Sequence, residues 1–377
     1  MTVTRFIRRY TAAYWGIGLL VCILTGLGIV YFNDGFDNPP PLRILALLPI
    51  SGAAHNAGSA VRNGLLLATE EINAWGGING HKLELTVQDS KILSGNPPEA
   101  FYPAAGPHPA DLLIAVTSAV AMKAAVFAEN SQTPLVGLVA ATAKLTTGKR
   151  WIFKYFTSPE TEASVMISVL ENLRIKDLGV LYLDDDYGQA IFRLIKTHFN
   201  PHRKVVGLPF PPGQRDFENF AEKLHKTEAI GIIGYQVHIL RFIRKLHKIG
   251  YGGKIISGNA FDATAAQHLK ELDGVYIATP IIYNENFAFA HRVSKKYSER
   301  FNIPLNHFSA NGYDFLKLFA DLLDDTEISS ETIRAALETD FIYEGIFGHV
   351  ESRQGAHDIL FPLVPARIEN GKIRYLR

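Results

Sequence analysis

The chain has one cysteine, Cys22, inside an uncharged N-terminal stretch, so the rest of the sequence forms neither a disulfide framework nor a thiolate metal site. It has no charge imbalance either. Its 38 Lys and Arg against 37 Asp and Glu leave no electrostatic footprint for nucleic acid, and none is expected as a partner. Catalytic signatures are missing too. No His is followed by Glu, no Gly-x-Ser-x-Gly elbow and no Ser-x-x-Lys occur, and Gly148-Lys149 runs into Arg150 without the upstream glycine of a P-loop. The 13 histidines are scattered; His198 and His202 lie four apart, but Pro201 intervenes. Neither an enzyme nor a cofactor is expected.

What is present reads as globular. At 377 residues, 47% apolar and 20% charged, the chain suits two α/β bodies plus an appendage. The appendage is N-terminal. Tyr10 to Asn33 carries no charge, Tyr14 to Phe32 is mostly apolar, Arg5, Arg8 and Arg9 precede it, and Asp34 and Asp37 follow. A helix needs about 20 such residues to cross a bilayer, and the basic side stays in the cytoplasm. The expectation is an N-terminal transmembrane helix over residues 14–32, anchored in the cytoplasmic membrane with the body exported. A cleaved signal peptide is the main competitor, but the run is long and ends without a small-x-small site. A lipid anchor at Cys22 is weaker, because bulky Val21 precedes it mid-run. Asn38-Pro39-Pro40-Pro41 reads as a stiff spacer.

The body alternates strand and helix patterns. Leu42 to Leu48 is a buried-strand run. Ser59 to Trp75 carries Val61, Leu65, Ala68 and Ile72 on one helical stripe, stopped by Gly76-Gly77. The rhythm continues through Leu112 to Val116, Pro134 to Leu138, Leu178 to Leu183, Ala229 to Ile233 and Lys254 to Ser257, with helical segments between. Ser94 to Pro109 breaks it with five prolines and two glycines and reads as an irregular loop. Such alternation implies parallel sheets covered on both faces, with ligands bound beyond the carboxyl ends of the strands. The loops there run from Pro49 to Gly58, Thr117 to Ala119, Ala140 to Leu145, Asp184 to Gly188, Gly234 to Gln236 and Gly258 to Asp262.

Leu45 to Gly52, Glu70-Glu71-Ile72-Asn73, Gly76 to Gly80, Ala141-Thr142-Ala143, Asp184 to Gly188, Tyr313-Asp314 and Gly345-Ile346-Phe347-Gly348 together resemble the leucine/isoleucine/valine-binding family of type I periplasmic binding proteins. No one of these motifs is specific; their order and spacing carry the resemblance, over about residues 42 to 377. It implies an α/β fold of two doubly wound parallel-sheet lobes joined by a three-stranded hinge. Lobe 1 is expected at 42–156 plus 279–327, and lobe 2 at 157–278 plus 328–377, with residues 1–41 as cytoplasmic tip, anchor and spacer.

The resemblance also implies binding residues. A serine and an Ala-x-Thr loop that grip a ligand carboxylate correspond to Ser118, Ala140 and Thr142; hydroxyls and free N–H groups at a helix start suit an anion. Ser118 reads equally as the N-cap of a helix from Ala119. Tyr187 and Tyr235 match second-lobe tyrosines, which either line the cleft or pack at the hinge. Asp186 with Gln189 resembles a capping box, preferred over a metal role for the Asp184–Asp186 run. Asn259 stands where relatives often carry an acid, and Ala57 where some carry an aromatic. An amide supplies no charge to pair with an ammonium. Amino acid, amide and small carboxylate therefore all stay open as ligands.

The leading expectation is extracytoplasmic capture of a small polar solute for an ABC importer. A sensor of the same fold, acting on a membrane partner, is the alternative. A hydrolase would need a constellation that the sequence does not display.

Overall fold

A computed structural model describes residues 39–51, 54–90, 110–199, 203–259 and 270–376. The expected membrane helix over 14–32, the proline-rich segment, His202 and Asp262 lie outside them. Among the described residues no helix is long and apolar enough to cross a membrane. The body from Leu42 onward is one compact unit.

Two sheets organise it. The first runs β13–β5–β4–β3–β1–β2, built from β1 (Leu42–Leu48), β2 (Leu83–Asp89), β3 (Leu112–Val116), β4 (Leu135–Leu138), β5 (Ile152–Phe156) and β13 (Asp358–Leu360), every neighbouring pair parallel. The second runs β15–β14–β10–β9–β8–β6–β7. It comprises β6 (Asp177–Leu183), β7 (Lys204–Phe210), β8 (Ala229–Ile233), β9 (Lys254–Ser257), β10 (Tyr276–Thr279), β14 (Val364–Glu369) and β15 (Lys372–Tyr375). Only its β14 edge is antiparallel. A hairpin, β11 (Phe341–Gly345) and β12 (Gly348–Ser352), stands apart.

The alternation of strand side chains explains the layering. Leu42, Ile44, Ala46 and Leu48 of β1 share a core with α1 (His55–Ala74) and α8 (His307–Leu322). Leu45 and Leu47 point the other way, into the core of α2 (Ser118–Ser131). In the second sheet Leu181 and Leu183 join α5 (Glu218–Leu224) and α6 (Gln236–Lys248), whereas Leu178 and Val180 join α3 (Pro159–Asn172) and α4 (Asp186–His198). Val61, Leu65, Ala68 and Ile72 are buried as one stripe of α1, which begins four residues before the expected Ser59. Gly64 lets α8 approach: a Cβ there would lie 1.9 Å from the Ser309 carbonyl oxygen.

The chain passes between the sheets three times, after β5 at 157–158, after β10 at 280–283, and between β13 and β14 at 361–363. Tyr375 of β15 braces the second crossing: its hydroxyl donates to Pro280 O at 2.7 Å and accepts from Tyr283 N at 3.1 Å. The last crossing corrects the expected return to lobe 2 at 328. Ile333 and Leu337 of α9 (Ser330–Glu338), Phe347 between the hairpin strands, Ile359 and Phe361 all fill the first lobe's core, and only residues 364 onward join the second sheet.

Asp314 causes much of this. It is fully buried in α8 and accepts from Tyr155 Oη at 2.6 Å, Tyr343 Oη at 3.0 Å and Ile346 N at 2.8 Å. The Tyr313-Asp314 and Gly345 to Gly348 motifs thus meet in one structural clamp. Gly345 leaves room for it, since a Cβ there would lie 2.4 Å from Asp314 Oδ1. Burial pushes the Asp314 carboxyl up to about 6 against the pull of these donors.

Candidate functional site

The strand orders reverse beside β1 in the first sheet and beside β6 in the second, where open α/β sheets bind ligands at strand carboxyl ends. The loops leaving those ends carry the residues singled out in the sequence.

In the first lobe β3 and β4 end on strained backbone. Thr117 has φ +78° and Val139 φ +51°, and both are β-branched residues that avoid this region. Thr117 N donates to Leu138 O at 3.0 Å, coupling the two ends. Asn311 of α8 accepts from Val139 N at 3.1 Å through Oδ1 and donates from Nδ2 to Tyr155 O at 3.0 Å. Ser118 is the first residue of α2, so the alternative reading of it as an N-cap is corrected: Thr117 takes the cap position and makes no side-chain cap bond. Ser118 is half-buried in the turn whose N–H groups lack helical partners. Ala140 is fully buried and offers only its main chain. Thr142 opens the 3-10 turn Ala143–Leu145 and accepts from Lys144 N at 3.4 Å.

In the second lobe the cap of α4 is Asp185, not Asp186; it accepts from Gly188 N at 2.8 Å, while Gln189 Nε2 donates to Asp184 Oδ1 at 2.8 Å. The one-residue shift leaves Asp186 on the outside, where it pairs with Lys144 Nζ at 2.8 Å. That contact joins the Thr142 loop of lobe 1 to the Tyr187 loop of lobe 2. Tyr235 caps α6 by position alone and is 53% exposed, with its ring 5.9 Å from His238. Ala57 lies in the first turn of α1, where it supplies no ring.

Tyr187 and Asn259 are brought together by a residue that the sequence reading missed. Glu162, in the first turn of α3, is 1% exposed; its Oε1 accepts from Tyr187 Oη at 2.7 Å and from Asn259 N at 2.8 Å. Gly258 makes the approach possible, because a Cβ there would lie 1.7 Å from Oε1. Burial pushes the Glu162 carboxyl up to about 7, although both donors pull it down. Burial, with Glu162, Tyr235 and Asp185 nearby, holds the Tyr187 hydroxyl well above its ordinary value, so it stays a donor. The signal in the sequence was faint: Ser158-Pro159 announces a helix start, and an acid in that first turn reads as dipole compensation.

Buried polar atoms without a hydrogen-bond partner among the described residues include Thr117 Oγ1, Thr157 Oγ1 and Asn259 Nδ2. They follow β3, β5 and β9, so both sheets contribute at their carboxyl ends. An orphaned buried donor costs about 1–3 kcal/mol, which a ligand acceptor would relieve. Among the described residues no group of three His, Cys, Asp or Glu is placed to hold a metal ion.

A family model described as periplasmic binding protein matches residues 41–372. The Leu/Ile/Val-binding protein BraC3 of Rhizobium johnstonii is 26% identical over 233 residues, 59% of this chain; the match spans 62% of BraC3's own length. Leu/Ile/Val-binding protein homolog 3 of Brucella melitensis biotype 1 is 24% identical over 284 residues, covering 72% of this chain and 76% of that one. Among solved structures, the branched-chain amino acid transporter substrate-binding protein LivJ of Streptococcus pneumoniae, in complex with isoleucine, superposes with a TM-score of 0.78 at 22% identity, covering 89% of this chain and 99% of that one. A solute-binding protein of an ABC transporter from Rhodopseudomonas palustris BisB5, in complex with 3,4-dihydroxybenzoic acid, gives 0.79 at 17% identity, covering 89% and 96%.

Proposed function

The chain belongs to the periplasmic binding protein family, a family of binding proteins rather than enzymes, and on that premise we propose that it captures a small polar solute between its two lobes for delivery to an ABC importer. The observation that carries this reading is the set of orphaned donors at the carboxyl ends of both sheets, Thr117, Thr157 and Asn259, beside loops that Lys144 and Asp186 join. Ser118, Ala140 and Thr142 form the anion-facing side, through hydroxyls and unpaired main-chain N–H groups. Tyr187, Tyr235 and Asn259 form the opposite side. Ligand contacts available only in the shut form drive closure about the three crossings. Titration of residues 42–377 with amino acids, amides and small aliphatic and aromatic acids tests the reading. At least one is expected to raise the melting temperature, and Ser118→Ala and Thr142→Ala each to weaken its binding about tenfold with little change in the unliganded melt. No shift with any of them, and no co-purified small molecule, would count decisively against it.

We further propose that residues 14–32 tether the body to the cytoplasmic membrane. The support is the uncharged run from Tyr10 to Asn33, with arginines before it and aspartates after it. Full-length protein is then expected in the membrane pellet after alkaline carbonate washing; release into the supernatant would point to a processed, soluble body. A tether also suits a sensor, and crosslinking distinguishes the two: permease subunits for import, a receptor or kinase for sensing.

A further inference from the structure

Glu162 is a carboxyl group removed from water without a counter-charge. Its partners among the described residues are two neutral donors, Tyr187 Oη and Asn259 N, and both land on Oε1. No Lys, Arg or His among the described residues makes an ion pair or hydrogen bond with it. Lys144, the basic side chain that reaches the residue beside Tyr187, is already committed to Asp186. Folding has gone to some length to hold the group there: Gly258 is compatible with it only because it lacks a Cβ, and the loop after β9 spends a main-chain N–H on it. The position is at the ligand-facing end of the lobe, since β9 supplies Asn259, the start of α4 supplies Tyr187, and the first-lobe loop bearing Thr142 reaches the residue beside Tyr187. An unpaired buried carboxylate is strongly disfavoured, and an incoming cation relieves it. The orphaned Nδ2 of Asn259, itself 2% exposed, adds a donor for an oxygen of the same guest.

We propose that Glu162 is the specificity-determining residue of this site, receiving the protonated nitrogen of a small amine-bearing solute. This rests on the solute-capture reading above and selects within it: amines over the neutral amides and simple carboxylates. The acid comes from the first turn of α3 rather than from position 259, where the sequence offers only an amide.

Proton linkage follows. The groups facing Glu162 are Tyr187 from α4 and Asn259 from the loop after β9; Asp185 and Tyr235 lie beyond Tyr187, and none is a cation. Burial holds the Glu162 proton up to about pH 7, and an ammonium binds the form that has lost it. The competent fraction falls about tenfold per pH unit below that point, so amine affinity weakens by about 30-fold between pH 8 and pH 5.5.

The test uses the full-length chain in mild detergent and matched probes: L-leucine with 4-methylpentanoate, L-alanine with propanoate, L-arginine, and benzoate. Thermal shift and calorimetry are run from pH 5.5 to 8. At least one amine is expected to bind, its des-amino partner to bind at least tenfold more weakly, and Glu162→Gln to lose the amine by about 50-fold with a flat pH profile. Tyr187→Phe removes a donor to Oε1 and a hydroxyl of the site, so it is expected to weaken amine binding while moving the pH midpoint of that binding upward, a displacement that a purely structural role for Glu162 would not produce. If only the carboxylates bind, or if Glu162→Gln leaves amine affinity or its pH profile unchanged, solute capture stands and the role of Glu162 is wrong. If no probe binds either protein, both readings fall.

Discussion

Lys144 and Asp186 form an ion pair at 2.8 Å between the two lobes, one from the loop after β4 and the other from the first turn of α4. Both side chains are about two-thirds exposed, so screening limits the pair to roughly 0.2–1 kcal/mol. Opening about the hinge must separate them, so the pair biases the protein toward closure. Lys144→Ala or Asp186→Ala is expected to weaken solute affinity about two- to fivefold in low salt and to have no effect in 0.5 M NaCl. The exchange Lys144→Asp with Asp186→Lys is expected to restore affinity. Calorimetry of the four proteins at two ionic strengths checks this, and salt-independent losses would contradict it.

Asp314 is predicted to hold the first lobe together. Replacing it with Ala strands two tyrosine hydroxyls and the Ile346 N–H inside the core. Each buried orphan costs about 1–3 kcal/mol, so Asp314→Ala is expected to lose on the order of 3 kcal/mol or more in denaturant unfolding. Asp314→Asn keeps an acceptor oxygen and sheds the buried charge, so its loss is expected to be smaller. Equal losses for the two would show that volume, not hydrogen bonding, matters here.

The fold was legible because its strands are buried on both faces and its helices carry stripes. Leu112 to Val116 and Ala229 to Ile233 read as strands, and are, because uninterrupted apolar runs of five residues are too short for a helix and suit a strand buried on both faces. The predicted site was legible only in part. Spacing located the loops at Ser118, Thr142 and Tyr187, but not which of three aspartates would cap α4, since a cap depends on one residue's φ and ψ. Glu162 escaped because its importance comes from Asn259, 97 residues away, and no local pattern encodes that approach. The boundary at 328 failed for a like reason: Ile333, Leu337 and Phe361 are ordinary apolar residues, and only tertiary packing says which lobe they fill.

Gly64 is predicted to be intolerant of any side chain. A Cβ there meets backbone atoms, Ser309 O at 1.9 Å and Tyr313 N at 2.9 Å, so no rotamer change relieves it and α1 must move off α8. Overpacking of this kind costs about 1–3 kcal/mol. Gly64→Ala is expected to lower the melting temperature by several degrees even though alanine favours helices. Gly213, with open space around its Cβ position, is the control, and Gly213→Ala is expected to be neutral. A neutral Gly64→Ala would mean that the two helices can separate without loss.

Without any solute, Glu162 is predicted to tax the fold at neutral pH, and the sign can be worked out. Unfolded, its carboxyl ionises near 4.5; folded, burial keeps it protonated up to about 7. Between those values the folded state holds more protons than the unfolded one, so stability falls as pH rises. Below 4.5 both states are protonated, and above 7 both are ionised, so the contribution is flat at either side. The total is on the order of 3 kcal/mol, from about 1.4 kcal/mol per unit of displacement. Asp314 adds a slope of the same sign at lower pH, so the comparison must be made against a variant that removes Glu162 alone. Glu162→Gln keeps an acceptor for Tyr187 and Asn259 and has nothing to ionise. It is therefore expected to match the parent at pH 4.5 and to exceed it increasingly up to pH 7.5 in urea unfolding of the unliganded proteins. Parallel stability curves for the two would mean that the carboxyl ionises normally in its buried place.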